Sequence, residues 1–269
     1  MRTGDVGAEG RDEGHAAMFC GLPLSVGMTA ESVVARAFRP SGEPVLTTFI
    51  NPGAIHVARV NAAYGRVLAR FDMILPDGIG IVWGWRAIHR SRLTRLSFDT
   101  TSLALPVLRK ARDEARRVML IGGMPGVPEA AVGKLSAALP GLRFCQPQHG
   151  YHPSAAYEVA LRAERPDVVI CGMGAPRQEE MLLALRDSGL LSGPAFTCGG
   201  YLDQLHDGLD YYPAFIDSLN LRWLYRMSRE PHRLWRRYLL EYPEYALALA
   251  QDLREMSAAG RSGIKERVR

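Results

Sequence analysis

Short apolar runs alternate with amphipathic stretches along most of the chain. Six apolar runs of four to six residues lie at 45–50, 72–75, 117–121, 142–145, 167–171 and 194–198. Stretches with helical spacing lie between them, the clearest at 54–70, 127–138, 155–164 and 178–188. Alternation of strands and helices is typical of a parallel sheet covered on both faces. The pattern therefore predicts an α/β fold, a parallel sheet flanked by helices.

The chain changes character at both ends. Residues 1–20 begin with a polar, Gly-rich stretch and are predicted to form a disordered lead-in. The strand–helix alternation predicts an α/β domain over 21–212. After Pro213 the sequence is helix-like and rich in Arg and aromatic residues, which predicts a basic helical appendage over 213–269.

Composition narrows the class of protein. The 269 residues are 47% hydrophobic and 23% charged, which is ordinary for a globular protein. We find no apolar run long enough to span a membrane and no hydrophobic segment of a secretory signal. The four cysteines are widely spaced and match neither a disulfide framework nor a zinc site. We therefore expect a protein of the reducing cytoplasm.

The excess positive charge is confined to one segment. Residues 222–237 hold six arginines and one glutamate, and their net charge of +5 equals that of the whole chain. Five of the arginines follow helical spacing and form one stripe, which Pro231 must interrupt. The segment predicts an anionic partner, either a diphosphate, a membrane surface or nucleic acid. The alternative is a solvated face neutralised by acids elsewhere.

A glycine-rich turn follows the fifth apolar run. Gly172 and Gly174 would let a ligand approach the backbone, and the next helix would offer free N–H groups to an anion. Gln178 and Glu179 fall in the first turn of that helix, where the Gln178 amide could pair with a uracil edge or a sugar hydroxyl. The alternative is a tight turn whose acids complement the helix dipole. The turn at Gly122 and Gly123 has the same setting but lacks the spacing of dinucleotide binders.

Other polar residues lie at or near strand ends. Asp77 follows the second run and is either a general base over the cleft or a cap of the next helix. Asn51 closes the first run and could bind a ligand, cap a helix or do both. Arg95, Asp99 and Asp203 lie in turn-like settings, where a solvated or paired surface role is the simpler interpretation.

In this order, these pieces resemble the WecG/TagA/CpsF glycosyltransferases, glycosyltransferase family 26. The resemblance covers about residues 47–238. It depends most on two elements, Gly172-Met-Gly-Ala-Pro-Arg-Gln-Glu179 and Glu230-Pro-His-Arg-Leu-Trp-Arg-Arg237. Supporting pieces are Asn51, Leu75-Pro-Asp77-Gly, Arg95 with Asp99, Leu120-Ile-Gly-Gly123, Gly150-Tyr151, Asp203, Pro213 and Trp223-Leu-Tyr-Arg226.

The resemblance implies an inverting, metal-independent transferase with a Rossmann-like core and no cofactor. It would move a sugar from a UDP-sugar to a polyprenyl-diphosphate-linked acceptor, in bacterial cell-surface polysaccharide synthesis. The implied location is peripheral, at the inner face of the cell membrane, with an anionic membrane surface as a partner. The resemblance also permits a homo-oligomer.

The resemblance also assigns roles to residues. Asp77 becomes the proposed general base. The other catalytic candidates are Asn51, Arg95 and Thr48, which stands one residue further from Asn51 than the threonine of the family's Thr-x-Asn pattern. The nucleotide-sugar candidates are Gly122, Gly123, Gly172, Gly174, Gln178, Glu179 and Asp203. The candidates for the diphosphate and the membrane are Arg226, Arg229, Arg233, Arg236 and Arg237.

Two other classes of protein stay open. The strand–glycine–helix units also suit a nucleotide- or NAD-binding oxidoreductase with a Rossmann-like fold, although the GxGxxG spacing and an acidic ribose partner are missing. A neutral body with one basic segment also suits a nucleic-acid-binding module. We find no nucleic-acid motif and therefore expect no nucleic-acid partner.

Overall fold

The computed structural model describes residues 14–40, 42–208, 216, 221–229 and 242–266. These residues form two sheets. The strands are β1 (His15–Phe19), β2 (Leu22–Val26), β3 (Leu46–Ile50), β4 (Met73–Pro76), β5 (Arg117–Gly122), β6 (Arg143–Phe144), β7 (Val168–Gly172) and β8 (Ala195–Thr197).

Helices follow most of the strands. They are α1 (Ala30–Ala37), α2 (Pro52–Val60), α3 (Ala62–Leu68), α4 (Ile79–His89), α5 (Ala104–Asp113), α6 (Val127–Ala138), α7 (Ser154–Glu164), α8 (Arg177–Asp187), α9 (Tyr201–Asp207), α10 (Arg222–Arg229) and α11 (Tyr242–Glu266). The predicted helices at 127–138, 155–164 and 178–188 correspond to α6, α7 and α8.

The larger sheet has the strand order β4-β3-β8-β7-β5-β6, and all of its pairings are parallel. Each of the six apolar runs supplies one strand of it. Five of the strands are short and almost wholly buried because helices cover both faces, whereas the two residues of the edge strand β6 are exposed and half-buried. The predicted Rossmann-like α/β fold is therefore confirmed.

Two hydrophobic cores lie on opposite faces of this sheet. The first packs side chains of β1, β2, α2, α3, α4, α7 and α8, together with Tyr245 and Ala248 of α11. The second packs α1, α5, α6 and α9 against the other face. Consecutive residues of β3 alternate between the cores, since Leu46 and Ile50 belong to the first and Phe49 to the second.

Two predictions about local structure are wrong. The predicted disordered lead-in through residue 20 contains β1, which pairs antiparallel with β2 and buries Phe19 completely. The single helix predicted over 54–70 is two helices. Asn61 ends α2 and accepts the backbone N–H of Ala63 to begin α3, because an Asn side chain caps a new helix better than it continues one.

The C-terminal helix α11 packs on the α/β body. The Tyr245 hydroxyl donates to the Gly80 carbonyl of α4 at 2.7 Å, and Glu244 pairs with His56 of α2. Asp252 accepts the backbone N–H of Cys20 at 2.6 Å, which ties the helix to the turn between β1 and β2. The N-terminal half of α11 is therefore part of the first core. The predicted domain boundary near residue 213 stays a prediction.

Candidate functional site

The loops after the parallel strands gather at one edge of the sheet, their carboxyl edge. Neighbouring β3 and β8 continue into helices on opposite faces, α2 on the first core and α9 on the second. Such a divergence opens a crevice where α/β proteins bind ligands. Asn51 follows β3 on one side of this crevice, and Gly199 follows β8 on the other.

Asp77 stands directly after β4 at this edge. Its backbone N–H donates to the Ile50 carbonyl of β3 at 2.8 Å, which fixes the start of the loop. Its Oδ1 accepts a hydrogen bond from the Ser97 hydroxyl at 2.5 Å, and the side chain is half-buried. Gly78 occupies the cap of α4, and no side chain caps that helix. The carboxylate of Asp77 is thus held by Ser97 and does not cap α4.

The loop that carries Ser97 also holds Asp99. Asp99 Oδ1 accepts the backbone N–H of Thr101 at 2.9 Å, which closes a turn. Its Oδ2 accepts from Arg222 Nη1 of α10 at 2.7 Å and lies 3.8 Å from Arg95 Nη1. Arg222 Nη2 also donates to the Thr101 hydroxyl.

The Asp99–Arg222 pair is well shielded from water, since the two side chains are only 14% and 13% exposed. The pair joins the first arginine of the basic segment to the loop whose Ser97 hydroxyl donates to Asp77. We call Asp77, Ser97, Asp99 and Arg222 the Asp77 cluster.

A second set of polar groups is sealed beneath the crevice. The Thr48 hydroxyl of β3 donates to Glu179 Oε1 at 2.9 Å and lies 2.9 Å from the Thr197 hydroxyl of β8. Gln178 Nε2 also donates to Glu179 Oε1, at 2.8 Å, while Gln178 Oε1 accepts the Gly199 backbone N–H at 3.2 Å. We call these five residues the Glu179 network.

The network is almost completely buried. Thr48 and Glu179 are 0% exposed, Thr197 1% and Gln178 5%. Burial raises the pKa of Glu179, and the hydrogen bonds from Gln178 and Thr48 oppose that rise only in part. Both ends of the Gln178 amide are occupied inside the protein. Contact of Gln178 or Glu179 with a nucleotide stays a prediction.

Glycines allow the neighbouring loops to touch. A Cβ on Gly122, whose φ is +140°, would lie 2.1 Å from the Gly172 carbonyl oxygen. A Cβ on Gly172 would lie 2.6 Å from the Gly199 carbonyl oxygen. These glycines are therefore required for the packing of the loops after β5, β7 and β8, whatever ligand lies above them.

The other candidate residues are placed as follows. Asn51 caps α2 by accepting the backbone N–H of Ala54 at 3.1 Å, which is one of the roles expected for it. Asp203 lies in the first turn of α9. Gly123 and Gly174 belong to the loops after β5 and β7. Arg226 and Arg229 lie on α10, whereas Arg233, Arg236 and Arg237 lie outside the described residues.

Ser97 is the site residue that the sequence reasoning missed. Polar residues at 95, 97 and 99 alternate with Leu96 and Phe98, both of which are buried. The Leu96 backbone N–H donates to the Pro76 carbonyl at 2.9 Å, so this segment runs beside the end of β4. The period of two was the available signal, because alternation is the pattern of an extended segment with one buried face.

The described residues contain neither a metal-ligand cluster nor a membrane-spanning helix. In this part of the chain, no three His, Cys, Asp or Glu side chains come together in a way that suits a metal ion. Within the same residues, no helix combines the length and the hydropathy that crossing a bilayer requires.

Comparison with known proteins places the chain among glycosyltransferases. The model of the Glycosyl transferase WecG/TagA/CpsF family matches residues 18–258. A UDP-Gal:alpha-D-GlcNAc-diphosphoundecaprenol beta-1,4-galactosyltransferase of Shigella boydii is 28% identical, with 77% of this chain and 86% of the relative covered.

Two mannosaminyltransferases are also similar. Each is an N-acetylglucosaminyldiphosphoundecaprenol N-acetyl-beta-D-mannosaminyltransferase and is 30% identical to this chain. The match to the protein of Bacillus subtilis strain 168 covers 76% of this chain and 78% of the relative. The match to that of Bacillus spizizenii strain W23 covers 81% and 84%.

Proposed function

Because the chain belongs to the WecG/TagA/CpsF family and is a glycosyltransferase, we propose that it transfers a sugar from a UDP-sugar to a polyprenyl-diphosphate-linked GlcNAc acceptor. The names of the relatives support these substrates, since each names an acceptor that carries GlcNAc on diphosphoundecaprenol and that of Shigella boydii also names UDP-Gal as the donor. The relatives transfer different sugars, galactose and N-acetylmannosamine, and therefore leave the donor sugar open. Membership in this family argues against the alternative of a nucleotide- or NAD-binding oxidoreductase.

The position of Asp77 carries the proposal. Its carboxylate lies at the carboxyl edge of the sheet, half-buried and aligned by one hydroxyl donor. A general base needs a carboxylate that is accessible to substrate and held in one orientation. Glu179, by contrast, is fully buried.

The proposed step is a single displacement. A hydroxyl oxygen of the acceptor sugar attacks the anomeric carbon of the donor, and the bond from that carbon to the UDP oxygen breaks. The hydroxyl proton passes to Asp77, and UDP leaves with the bonding electron pair. Attack opposite the leaving group inverts the configuration at the anomeric carbon.

Charge that develops on the departing diphosphate needs fixed donors or a metal ion. We propose that arginines of the basic segment supply these donors, since Arg binds phosphate oxygens in pairs. The Asp99–Arg222 contact supports this, because it brings the start of the basic segment beside the loop whose Ser97 side chain contacts Asp77. The residues assigned to the diphosphate are Arg226, Arg229, Arg233, Arg236 and Arg237.

The test is a transfer assay with the purified chain. A polyprenyl-diphosphate-GlcNAc acceptor is incubated with radiolabelled UDP-Gal, UDP-ManNAc or UDP-GlcNAc, in EDTA or in Mg²⁺, and the lipid-extractable label is counted. We expect one donor to give transfer in EDTA, and NMR of the product to show an inverted anomeric carbon. Absence of transfer from every UDP-sugar would overturn the substrate assignment. Transfer that requires Mg²⁺ would overturn the arginine account.

We also propose that the basic segment holds the protein at an anionic membrane surface. Deletion of residues 213–269 would expose the first core, because Tyr245 and Ala248 are buried in it. A cleaner variant replaces Arg233, Arg236 and Arg237 with Gln, and its control replaces the exposed Arg92, Arg109 and Arg143. We expect only the first variant to lose cosedimentation with phosphatidylglycerol vesicles, and equal binding by both variants would contradict the proposal.

A further inference from the structure

Glu179 joins four parts of the carboxyl edge. One of its oxygens, Oε1, accepts hydrogen bonds from Thr48 of β3 and from Gln178 of α8. Thr48 in turn contacts Thr197 of β8, and Gln178 holds the backbone N–H of Gly199 in the turn before α9. Removal of the Glu179 side chain would therefore release contacts on both sides of the crevice.

The second oxygen of Glu179 is placed differently. Oε2 is buried and has no hydrogen-bond partner among the described residues. The Tyr64 hydroxyl of α3 is likewise buried and makes no hydrogen bond of good geometry to another described residue. It lies close to Glu179: burial raises the Tyr64 pKa first, and the charge of Glu179 and a side-chain hydrogen bond with it raise that pKa further. A carboxylate oxygen without a donor is costly to bury, whereas a protonated oxygen is much less so.

Three titratable groups interact electrostatically with Glu179, and none of the three can carry a positive charge. They are Tyr64 of α3, Cys171 of β7 and the neighbouring Glu180. Each of these becomes negative when it ionises. Burial and the nearby Glu179 raise the pKa of both Tyr64 and Cys171, and Arg177 opposes that rise at Cys171. Among the described residues, no cation contributes to the shift in the pKa of Glu179 itself.

We propose that Glu179 is an uncharged positioning residue: it carries its proton on Oε2 and uses Oε1 to fix Thr48 and Gln178. Through Gln178 it sets the turn at Gly199, which contacts the loop after β7 at Gly172. Glu179 would thus shape the crevice without touching a substrate. The effect on donor binding rests on the proposed function, whereas the protonation state does not.

Glu179→Gln is the decisive variant, because Gln has the same shape and is neutral at every pH. The unfolded pKa of Glu179 is close to 4.5, and burial raises it in the folded protein. The folded state then retains a proton that the unfolded state loses, so the stability that this proton gives is present below pH 4.5. It is lost as the pH rises toward the folded pKa. The Gln variant has no such loss.

The experiment compares thermal unfolding of the wild type, Glu179→Gln, Glu179→Ala and the exposed control Glu180→Gln between pH 5 and pH 9, without substrate. We expect the Tm of Glu179→Gln relative to wild type to be higher at pH 8 than at pH 5 by about 3 °C or more. The control should show no such trend. A Tm difference that does not change with pH, or a Gln variant as unstable as Glu179→Ala at every pH, would overturn the proposal.

Kinetics add a readout that a purely structural role would not move. We expect Glu179→Ala to raise the donor KM about tenfold or more, and Glu179→Gln to raise it clearly less, because the Gln oxygen can still accept from Thr48 and Gln178. A tenfold loss of kcat in Glu179→Gln would show that the ionised carboxylate takes part, against the proposal. If no UDP-sugar is transferred, the proposed function fails, and the unfolding series still decides the protonation state.

Discussion

The Asp77 cluster and the Glu179 network lie at the ends of adjacent strands, yet they are built for different tasks. The cluster is partly buried, since Asp77 is half-buried and Asp99 and Arg222 are 14% and 13% exposed, and each of these three charged side chains has a partner. The network is 0–5% exposed at its four side chains, and its one ionisable group has an oxygen without a hydrogen-bond partner among the described residues. The difference in burial between the two carboxyls is the basis for proposing Asp77 as the reactive one and Glu179 as a positioning one.

Among variants that leave Asp77 and Glu179 themselves intact, Ser97→Ala should have the largest effect. The Ser97 hydroxyl donates to the Asp77 carboxylate, and hydrogen bonds to charged groups are the stronger ones. We expect kcat to fall about 10- to 100-fold, with little change in Tm. Steady-state kinetics and thermal unfolding provide the measurement.

Ser97→Thr keeps the hydroxyl and should retain most of the activity. Ser102→Ala removes a hydroxyl of the same loop that accepts the Ser97 backbone N–H, and it serves as the control. An active Ser97→Ala variant would show that Asp77 does not depend on this contact.

Thr48→Val should lower stability with little effect on kcat, which is the reverse of the expectation for Ser97→Ala. It removes a buried donor to Glu179 and a contact to Thr197, so we expect a loss of about 1–2 kcal/mol in the free energy of unfolding. Denaturant titration measures this loss. Thr47→Val is the matched control, because the Thr47 hydroxyl is equally buried but has no partner among the described residues.

The control should be neutral or stabilising. Catalytic loss in Thr48→Val without loss of stability would contradict the comparison, since it would place Thr48 among the reacting groups as the family resemblance implies.

The smallest expected effect concerns the contact between Arg222 of α10 and Asp99, in the loop that carries Ser97. A double-mutant cycle with Arg222→Ala and Asp99→Asn should give a coupling of about 0.5–1.5 kcal/mol, because the pair is close and shielded from water. The control cycle pairs Arg95→Ala with Asp99→Asn, whose charges are 3.8 Å apart, and should give less. Equal coupling free energies in the two cycles would show that Arg222 contributes no more than Arg95 does, and would contradict its role in holding α10 against this loop.

Much of the fold follows from local pattern. Apolar runs predicted the six parallel strands because a strand buried on both faces has little choice of composition. The strand β1 was missed because its stability depends on pairing with β2 and α11, at positions distant in the chain. The break at Asn61 was missed because one residue decides it, within a stretch of otherwise helical spacing.

The site was predicted less completely than the fold. The sequence could place Asp77 and Gln178 at the carboxyl edge, because Asp77 directly follows a strand and Gln178 lies in the helical turn after a strand-end loop. The motif could not show that Gln178 points inward or that Glu179 is sealed, because burial depends on how α8 packs against β3 and β8. The contact between Asp99 and Arg222 spans 123 residues, and no spacing rule connects them.

Transfer of radiolabelled sugar to the polyprenyl-diphosphate-GlcNAc acceptor by wild type and Asp77→Asn, measured side by side, tests the central claim most directly. Asn can still accept the Ser97 hydrogen bond but is a far weaker base. We expect transfer to fall about 100- to 10,000-fold, with Tm and UDP affinity near wild type. Wild-type transfer by a correctly folded Asp77→Asn variant would contradict the assignment of Asp77 as the general base.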